Sequence, residues 1–497
     1  MNLKETSGGH PNIPAKVFKI SADIISSPLL TIINRCIETG NFPECLKIAK
    51  VVPLFKAKNR RDVKNFRPIS LLPIIAKIFE KHIYNQLNYF VEMNQILCKQ
   101  QAGFRKNSST CISIAKLLNG IISGVEDGRY GLCVFLDLQK AFDMIDHDIL
   151  LKKLYFYGVR GTELRLFYNY LSNRKQFVEI NSVSSGFCDI CRGVPQGSVL
   201  SALLFILFIN DIVNSSNKLF FNLFADDTSI YYKNKNVDDL YRTMNEELNK
   251  VGIWLGANKL SLNVNKTIYI LFKGKKKLID VPNLYMYGSP ISRNENTKFL
   301  GIFIDEHLSW KPHAKFIIGK LSRTIGIIRK THENLNLHSL KTLYFSFVQP
   351  CLQYGIIFWF SVSSDLRNKI FRLQKKAIRL INKTNFDSHS EPLFFKNKIL
   401  KFEDLFKLES CKFIHQEINF CNNFELVSHS NIHRYSTRFN QNLVPHRPKT
   451  RAGSNFVLSQ GVNMYNLLPE TFKNLDTMSK FKCYLNETGS VICIYVI

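Results

Sequence analysis

Three aspartates stand in sequence contexts that suit phosphoryl chemistry. Asp137 lies near the end of the apolar run 131–138 (GLCVFLDL), while Asp226 and Asp227 are adjacent between two apolar flanks in residues 219–230. Burying like charges together is unfavourable because repulsion and desolvation both raise the energy. A divalent cation removes that cost, and carboxylate oxygens suit Mg²⁺. Two metal ions bridged by carboxylates form a clamp for in-line phosphoryl displacement.

An adjacent pair of aspartates has a second interpretation, because Asp-Asp is common in exposed turns. Alone, Asp226 and Asp227 would favour such a turn. Their apolar flanks, the separate Asp137 and the charge of the whole chain favour a metal site instead.

Lys and Arg number 67 against 39 Asp and Glu, a net charge of +28. A polyanionic partner explains this excess, because Lys and Arg displace counterions from phosphates. A basic soluble protein or an acidic membrane surface is the alternative.

The elements that position these residues follow from local patterns. Residues 131–138 have the pattern of a buried strand, and residues 219–230 that of a hairpin with the acids at its turn. The same criteria predict a strand at 49–55, a hairpin at 176–190 and short strands at 280–304. Helices are predicted at 70–93, 149–170 with a break at 158–161, 199–210 and 240–255, and from about residue 310 onward.

Six segments occur in the order expected of one enzyme family. Three resemble the core palm motifs of reverse transcriptases: FLDLQKAFDMIDH (135–147), RGVPQGSVL (192–200) and FADD (224–227). Three resemble further segments of these enzymes: NFRPISLL (65–72), QAGFR (101–105) and NKLSLNVNKT (258–267). Their sequences are similar to those of non-LTR (LINE-type) retrotransposons, close to the jockey/CR1 group. The resemblance runs through residues 41–301 and more weakly through 343–359, 373–381 and 438–482.

The resemblance implies an RNA-directed DNA polymerase of a mobile element. Deoxynucleoside triphosphates would be added to the 3′-hydroxyl of a DNA primer on an RNA template. Asp137, Asp226 and Asp227 match the family's metal-binding aspartates, and the backbone carbonyl of Leu138 would complete the shell of two Mg²⁺ ions, with Mn²⁺ as a substitute. The implied fold is the α+β right-hand polymerase, with fingers, an antiparallel palm sheet, a helical thumb and a mostly helical basic C-terminal region.

Other positions match the family's nucleotide pocket. Phe142 occupies the place of a bulky aromatic that would exclude a ribose 2′-hydroxyl, although a core Phe is the alternative among 39 Phe. Gln196 and Gly197 match a turn that flanks the incoming nucleotide, where glycine lets the backbone approach the substrate. Arg105 is expected to contact template or structure, and residues 298–301 (KFLG) resemble a segment that grips the primer end.

Four cations are candidates for contacts with the triphosphate or pyrophosphate. Lys56, Arg61 and Arg67 lie in the fingers-like segment, where positive charge would neutralise the triphosphate. Arg67 matches its motif best, whereas exposed charge is the default interpretation of the other two. Lys266 matches a lysine that would protonate or steady the departing pyrophosphate.

The resemblance also suggests a division of the chain. We expect a lead-in at 1–40, fingers and palm at 41–305, a helical thumb or connection at 306–390 and a basic C-terminal region at 391–497. Ser201-Ala202 replaces a frequent Gly-Pro, and Met144 a frequent Thr, but neither position is a metal ligand. The family's endonuclease and an RNase H domain are not recognised in this chain.

No signal peptide is recognised, and the longest uncharged apolar run, 199–209, is too short to span a bilayer. The expectation is an intracellular protein, nuclear or cytoplasmic, without membrane contact, and the sequence does not decide its oligomeric state. The lone CxxC of Cys188 and Cys191 lacks a second pair, and Cys411, His415, Cys421 and His429 fit no trusted zinc spacing.

Three rival functions remain open at this stage. An RNA-dependent RNA polymerase shares the paired aspartates, but favours Gly where Ala225 stands and admits a ribose where Phe142 stands. A non-catalytic nucleic-acid-binding relic is opposed by the complete acid set. A zinc-dependent binding module is not supported by the unpaired CxxC.

Overall fold

The computed structural model describes residues 13–56, 59–273, 281–432, 442–475 and 477–481. Its strands are β1 (Ile48–Phe55), β2 (Phe66–Leu71), β3 (Tyr130–Leu136), β4 (Arg174–Ile180), β5 (Val183–Ser184), β6 (Cys188–Ile190), β7 (Phe220–Phe224), β8 (Asp227–Asn234), β9 (Ile268–Phe272), β10 (Tyr285–Met286), β11 (Ser289–Pro290), β12 (Ser292–Arg293), β13 (Asn296–Phe299) and β14 (Ile302–Asp305).

The α-helices are α1 (Ala15–Ile20), α2 (Ala22–Thr39), α3 (Ile74–Met93), α4 (Thr110–Glu126), α5 (His147–Phe156), α6 (Gly161–Leu171), α7 (Ser201–Ile209), α8 (Val237–Ala257), α9 (Lys311–Thr331), α10 (Leu337–Leu343), α11 (Gln349–Gln353), α12 (Ile356–Trp359), α13 (Ser364–Ile381), α14 (Glu391–Asn397), α15 (Phe402–Gln416), α16 (Arg451–Ser454), α17 (Val457–Asn466) and α18 (Glu470–Lys473).

One sheet, which we call the palm sheet, has the strand order β12-β9-β3-β8-β7. Strand β3 is antiparallel to both β8 and β9, and only β12 runs parallel to its neighbour. Leu132, Val134 and Leu136 of β3 belong to an apolar core shared with α7. Cys133 and Phe135 belong to a second core shared with α4. Strand β3 is therefore apolar throughout because both faces of the palm sheet are covered.

A second sheet, which we call the fingers sheet, is built on β1. Strand β1 pairs antiparallel with β2 and parallel with β4, and β4 pairs antiparallel with β5 and β6. This arrangement confirms the predicted strand at 49–55 and the predicted hairpin at 176–190. The buried helix predicted at 199–210 is α7, in which every residue except Ala202 is buried.

The helix predicted at 70–93 is wrong at its start. Residues up to Leu71 belong to β2, and α3 begins at Ile74 with Pro73 as its N-cap. Proline disfavours the helical conformation for the residue before it, so Leu72 cannot continue a helix through Pro73. The apolar periodicity that suggested the longer helix holds from Ile74 onward.

Beyond β14 the described chain is mostly helical, as predicted. Helices α9 and α13 pack against each other, and α15 packs against α17. The observed architecture confirms the α+β class, with an antiparallel-rich palm sheet covered by helices on both faces. No helix in the described ranges is long and apolar enough to cross a membrane.

Candidate active site

The palm sheet brings the three aspartates together at one edge. Leu136 at the end of β3 pairs with Thr228 of β8. Extending this register by one residue sets Asp137 opposite Asp227. Phe224 pairs with Asp227, so Ala225 and Asp226 form a two-residue turn between β7 and β8. Two strands separated by about ninety residues of sequence thus place three carboxylates at neighbouring positions.

A segment that is distant in sequence supports the turn between β7 and β8. The side-chain oxygen Oε1 of Gln101 accepts the backbone N–H of Gly103 at 2.8 Å and that of Ala225 at 3.2 Å. The backbone of Ala102 donates to the carbonyl of Leu223 at 2.8 Å. Ala225 has a φ of +55°, an uncommon conformation for a residue with a side chain. The bond from Gln101 helps to hold this conformation immediately before the aspartates.

The electrostatics of Asp227 reflect its neighbours. Asp226 and Asp227 are both exposed to solvent, yet protein atoms crowd the carboxylate of Asp227. The pKa of Asp227 is raised from 3.8 to about 6. Partial desolvation is the largest cause of this rise, and the charges of Asp226 and Asp137 add to it. A bound cation would oppose this rise in pKa, because an opposite charge favours the ionised form.

Asp137 is held by its backbone and contacts one cation. Its N–H donates to Oγ1 of Thr267 at 3.3 Å, and its carbonyl accepts the N–H of Asn263 at 2.8 Å. Nζ of Lys266 lies 3.7 Å from Oδ2 of Asp137. The side chain of Lys266 is exposed and that of Asp137 is partly exposed, so this ion pair is weak. The structure thus brings Lys266, predicted from its motif, to the first of the three aspartates.

The donor set fits a hard divalent cation that is shared with a substrate. As the side chains stand, no group of three or more His, Cys, Asp or Glu in the described parts of the chain converges closely enough to cage a metal ion. Mg²⁺ is usually held by one or two carboxylates together with waters and substrate phosphates rather than by a closed protein cage. Three adjacent carboxylates that raise each other's energy match that kind of open site.

The turn that carries Gln196 and Gly197 is fixed on two sides. Nε2 of Gln196 donates to Oδ1 of Asp143 at 2.9 Å, and its carbonyl accepts the N–H of Ser70 at 2.8 Å. Gly197 has a φ of +126°, and a Cβ there would lie 2.5 Å from the carbonyl oxygen of Ser70. Glycine is required at this position because both the conformation and the close approach exclude a side chain.

Phe142 is partly buried, and its ring stacks on that of Phe205 with centroids 4.6 Å apart. Its carbonyl accepts the N–H of Val194, which ties it to the turn of Gln196. Its neighbour Asp143 has a pKa raised by burial, which the hydrogen bond from Gln196 and the charge of Arg67 oppose. Phe142 and Gln196 therefore lie in one connected region, to which Lys140 and Arg67 contribute positive charge.

The structure does not bring every predicted cation to this region. Lys56 and Arg61 are exposed around the loop after β1, and Arg67 is exposed on β2. Arg105 donates to the carbonyl of Cys98 at 3.2 Å and to Glu92 at 3.4 Å. Its observed contacts are therefore within the protein. Lys298 lies on β13 with Nζ 5.1 Å from the centroid of the Phe316 ring.

The alternative zinc ligands have other contacts. His415 is fully buried, with Nδ1 3.1 Å from the hydroxyl of Tyr465 and its ring stacked on Phe481. Cys411 is buried in an apolar core, which raises its pKa to about 12. Sγ of Cys421 donates to the carbonyl of Asn107 at 2.9 Å. These groups serve packing and hydrogen bonding.

Sequence reasoning missed two buried polar residues that support the site. Gln101 was passed over although it opens the QAGFR segment, where Gly103 lies against the backbone of Ala225. Glu80 was passed over because it lies on a helix with an apolar stripe, yet it is fully buried. The only sequence signal for Glu80 was its charge, which is unusual on the apolar face of α3.

Comparison with known proteins gives one family match. A family model described as "Reverse transcriptase (RNA-dependent DNA polymerase)" matches residues 56–304. The "Probable RNA-directed DNA polymerase from transposon BS" of Drosophila melanogaster is 29% identical over 370 residues, covering 71% of this chain and 40% of that protein. The "RNA-directed DNA polymerase from mobile element jockey" of the same species is also 29% identical, covering 71% of this chain and 40% of its own length.

These relatives confirm the predicted resemblance to mobile elements of the jockey type, and the chain spans about two fifths of their length. Among solved structures, a Candida albicans telomerase in complex with a fragment of telomeric RNA is similar with a TM-score of 0.41 at 11% identity. The similarity covers 72% of this chain and 66% of that one.

The support of the turn by Gly103 yields a prediction. In Gly103→Ala the new Cβ would lie 2.3 Å from the backbone nitrogen of Ala225, so backbone must move. We expect a loss of roughly 1–3 kcal/mol in the free energy of unfolding. Chemical denaturation measures it. Gly186→Ala, whose Cβ meets nothing within 4 Å, is the control. Equal stability of the two variants would contradict the proposed close packing.

The raised pKa of Asp227 predicts how stability depends on pH and metal. The folded protein binds a proton that the unfolded chain lacks between the ordinary pKa of 3.8 and about 6. This contribution is therefore present at low pH and is lost as pH rises through 6. Without metal, Asp227→Asn should raise the melting temperature at pH 7.5. Added Mg²⁺ should stabilise the wild type at pH 7.5 more than at pH 5.

The control for this experiment is Asp127→Asn, which removes the same charge near the opposite end of β3. It should keep the Mg²⁺-dependent rise in melting temperature. A rise of equal size in wild type and Asp227→Asn would show that the metal binds elsewhere.

Proposed function

Because this chain belongs to the reverse transcriptase (RNA-dependent DNA polymerase) family, we propose that it adds deoxynucleotides to the 3′-hydroxyl of a DNA primer on an RNA template. The observation that carries the proposal is the meeting of Asp137, Asp226 and Asp227 at one edge of the palm sheet. Acidic groups in this arrangement suit divalent ions, which can in turn bind the phosphates of a substrate. We also propose that it acts in the nucleus or the cytoplasm.

Reverse transcriptases generally use divalent metal ions, and we propose two Mg²⁺ ions here, with Mn²⁺ as a substitute. Such ions lower the pKa of the attacking hydroxyl and offset charge on the phosphates. Asp137, Asp226 and Asp227 would supply carboxylate oxygens. Leu138 pairs with Leu262 in an isolated antiparallel bridge. The hydrogen bonds of that bridge join the residues on either side: Asn263 donates to the carbonyl of Asp137, and Gln139 donates to that of Ser261. The carbonyl of Leu138 itself is therefore directed away from Leu262. That carbonyl is available as a further oxygen ligand.

The residues around the Gln196 turn would bind the incoming nucleotide. Phe142 and Gln196 belong to one hydrogen-bonded region, and Gly197 presents backbone without a side chain. The charge of Arg67 acts on Asp143 in the same region, which supports a role for Arg67 at the triphosphate. Lys266 lies beside Asp137 and would steady or protonate the pyrophosphate. Lys56 and Arg61 would contribute only positive charge at longer range.

The helices beyond the palm sheet would hold the nucleic acid. Helices α9 and α13 pack together and carry six Lys or Arg residues each, against a single acidic residue, Asp365. Such an excess suits contact with phosphates. This supports a thumb or connection at 306–390, after fingers and palm at 41–305 and a lead-in at 1–40. The segment 391–497 would be a basic C-terminal region, of which 433–441, 476 and 482–497 lie outside the described residues.

The proposal is tested by primer extension on an RNA template with deoxynucleotides and Mg²⁺. Asp137→Asn, Asp226→Asn and Asp227→Asn should each reduce extension by about a thousandfold, because a lost metal ligand removes several kcal/mol of transition-state stabilisation. The folded state should persist in each. Asp127→Asn is the matched control and should extend normally. Normal extension by the Asp137 or Asp226 variant would contradict the assignment of the metal site.

Phe142 gives a second test, because steric exclusion and core packing predict different results. If its ring excludes the 2′-hydroxyl, Phe142→Val should raise ribonucleotide use relative to deoxynucleotide use by roughly 10–200-fold. If Phe142 only packs in the core, the Phe142→Val protein should be less stable and should use both sugars less well. Incorporation efficiency for each sugar and the melting temperature separate the two.

Phe205→Leu is the control for the Phe142 test, because it disturbs the stacked pair from its fully buried side. It should destabilise the protein and leave the sugar preference unchanged. An unchanged sugar ratio in Phe142→Val would contradict the role of a gate.

A further inference from the structure

A fully buried carboxylate lies beneath the turn that carries Gln196 and Gly197. Glu80 is on α3 and has no exposed surface. One of its oxygens accepts the backbone N–H of Val199 at 2.8 Å, and the other accepts the hydroxyl of Tyr170 at 2.8 Å. An uncompensated buried charge is very unfavourable, so its presence here requires specific partners.

The hydrogen bonds continue from Tyr170 into the turn itself. The hydroxyl of Tyr170 lies 3.0 Å from Oγ of Ser198. Oγ of Ser198 accepts the N–H of Leu200 at 3.2 Å and that of Ser201 at 3.1 Å. The hydroxyl of Ser201 donates to the carbonyl of Pro195 at 2.6 Å. The network therefore reaches the turn at both its ends, before Gln196 and after Gly197.

A buried cation, Arg174, lies in the same region, and its charge favours the ionised form of Glu80. Arg174 is 1% exposed, donates to the carbonyl of Tyr170 at 3.0 Å and lies with Cζ 4.8 Å from the centroid of its ring. Burial raises the pKa of Glu80, whereas the Val199 amide, Arg174 and Tyr170 act against that rise. A carboxylate that accepts two donors in fixed directions makes stronger bonds than a neutral acceptor.

The opposite side of the turn carries the groups proposed to meet the nucleotide. There, Gln196 bonds to Asp143 and Ser70, and Gly197 lies against the backbone of Ser70. The hydrogen bonds of Glu80 that the structure describes do not reach Gln196 or Gly197, so it acts on the turn through Val199 and through Tyr170 and Ser198.

We propose that Glu80 and Tyr170 are positioning residues that fix the Gln196–Gly197 turn for the incoming deoxynucleotide. This inference rests on the proposed polymerase function. The network holds the turn in its binding conformation before the nucleotide arrives, so binding need not order it. Losing part of the network should weaken nucleotide binding more than it slows the chemical step at the aspartates.

The main variant is Tyr170→Phe, which deletes one buried hydroxyl and keeps the ring. Three quantities are measured: hydrogen exchange of the peptide covering residues 194–201, and the KM and kcat for a deoxynucleotide per active site. We expect exchange in this peptide and the KM each to rise about fivefold, the effect of losing one net hydrogen bond. The kcat should change by less than about twofold.

The matched control is Tyr344→Phe. Tyr344 is also fully buried, and its hydroxyl accepts from Nε2 of Gln374 at 2.9 Å in the helical region beyond the palm sheet. It should lower stability to a similar degree without changing the KM or the exchange of residues 194–201. Equal changes in the two variants would overturn the proposal, because they would reflect a general loss of stability.

Glu80 is tested by two substitutions of similar size. Glu80→Met removes both acceptors and should raise the exchange and the KM beyond the effect of Tyr170→Phe. Glu80→Gln keeps an acceptor for Val199 and should restore much of the wild-type behaviour. If Glu80→Met does not fold, Glu80→Gln and Tyr170→Phe still decide the proposal, and unchanged exchange in Tyr170→Phe overturns it.

Hydrogen exchange does not require catalysis, so failure of the polymerase function and failure of the positioning role give different results. An inactive wild type would contradict the polymerase function, whereas the exchange of residues 194–201 would still judge the positioning of the turn. An active wild type with an unchanged KM in Tyr170→Phe would overturn the positioning role alone.

Discussion

Repulsion among three carboxylates is the constraint around which the palm sheet is organised. Asp137 and Asp227 occupy facing positions on adjacent strands, and Asp226 lies in the turn next to them. Partial desolvation and mutual charge raise the pKa of Asp227, and the weak ion pair of Lys266 with Asp137 offsets little of that repulsion. The apolar cores on both faces of β3 supply the stability that keeps the acids in place. A site of this kind is stabilised by the rest of the fold until a cation binds.

The two turns of the site share a design. In each, a polar side chain that is buried and distant in sequence accepts backbone N–H groups of the turn. Gln101 does so for Ala225 before the aspartates, and Glu80 does so for Val199 after Gly197. A buried acceptor with few alternative partners fixes a turn more tightly than water would. Backbone conformations that are unfavourable alone, such as the positive φ of Ala225, can persist for that reason.

The distribution of charge complements this rigid centre. The acids that would hold metal are few and concentrated at one edge of the palm sheet, whereas the basic residues are spread over the surface and over α9 and α13. Concentrated negative charge suits two small cations, and distributed positive charge suits a long polyanion. The two patterns are compatible because the aspartates lie on the palm sheet, whereas these basic residues lie on separate helices.

The sequence by itself determined the residues that could do chemistry and the strands that carry them. The apolar run before Asp137, the hairpin around Asp226 and Asp227 and the apolar helix after the Gln196 turn are all local patterns. Alternating or continuous apolar residues predict such elements because each needs a buried face. The ordered motifs also identified the family, since six spaced segments rarely coincide.

Only the tertiary structure decided which of these residues meet and what supports them. The register that sets Asp137 opposite Asp227 joins strands far apart in sequence, and no local pattern specifies strand order. Arg105 was equally compatible with a template contact and a structural one, and only the fold shows that it donates to Cys98 and Glu92. Glu80 and Gln101 looked like ordinary polar residues because burial depends on what the folded chain places around them. Polar side chains acquire their roles from such long-range contacts, whereas apolar periodicity is written along the chain.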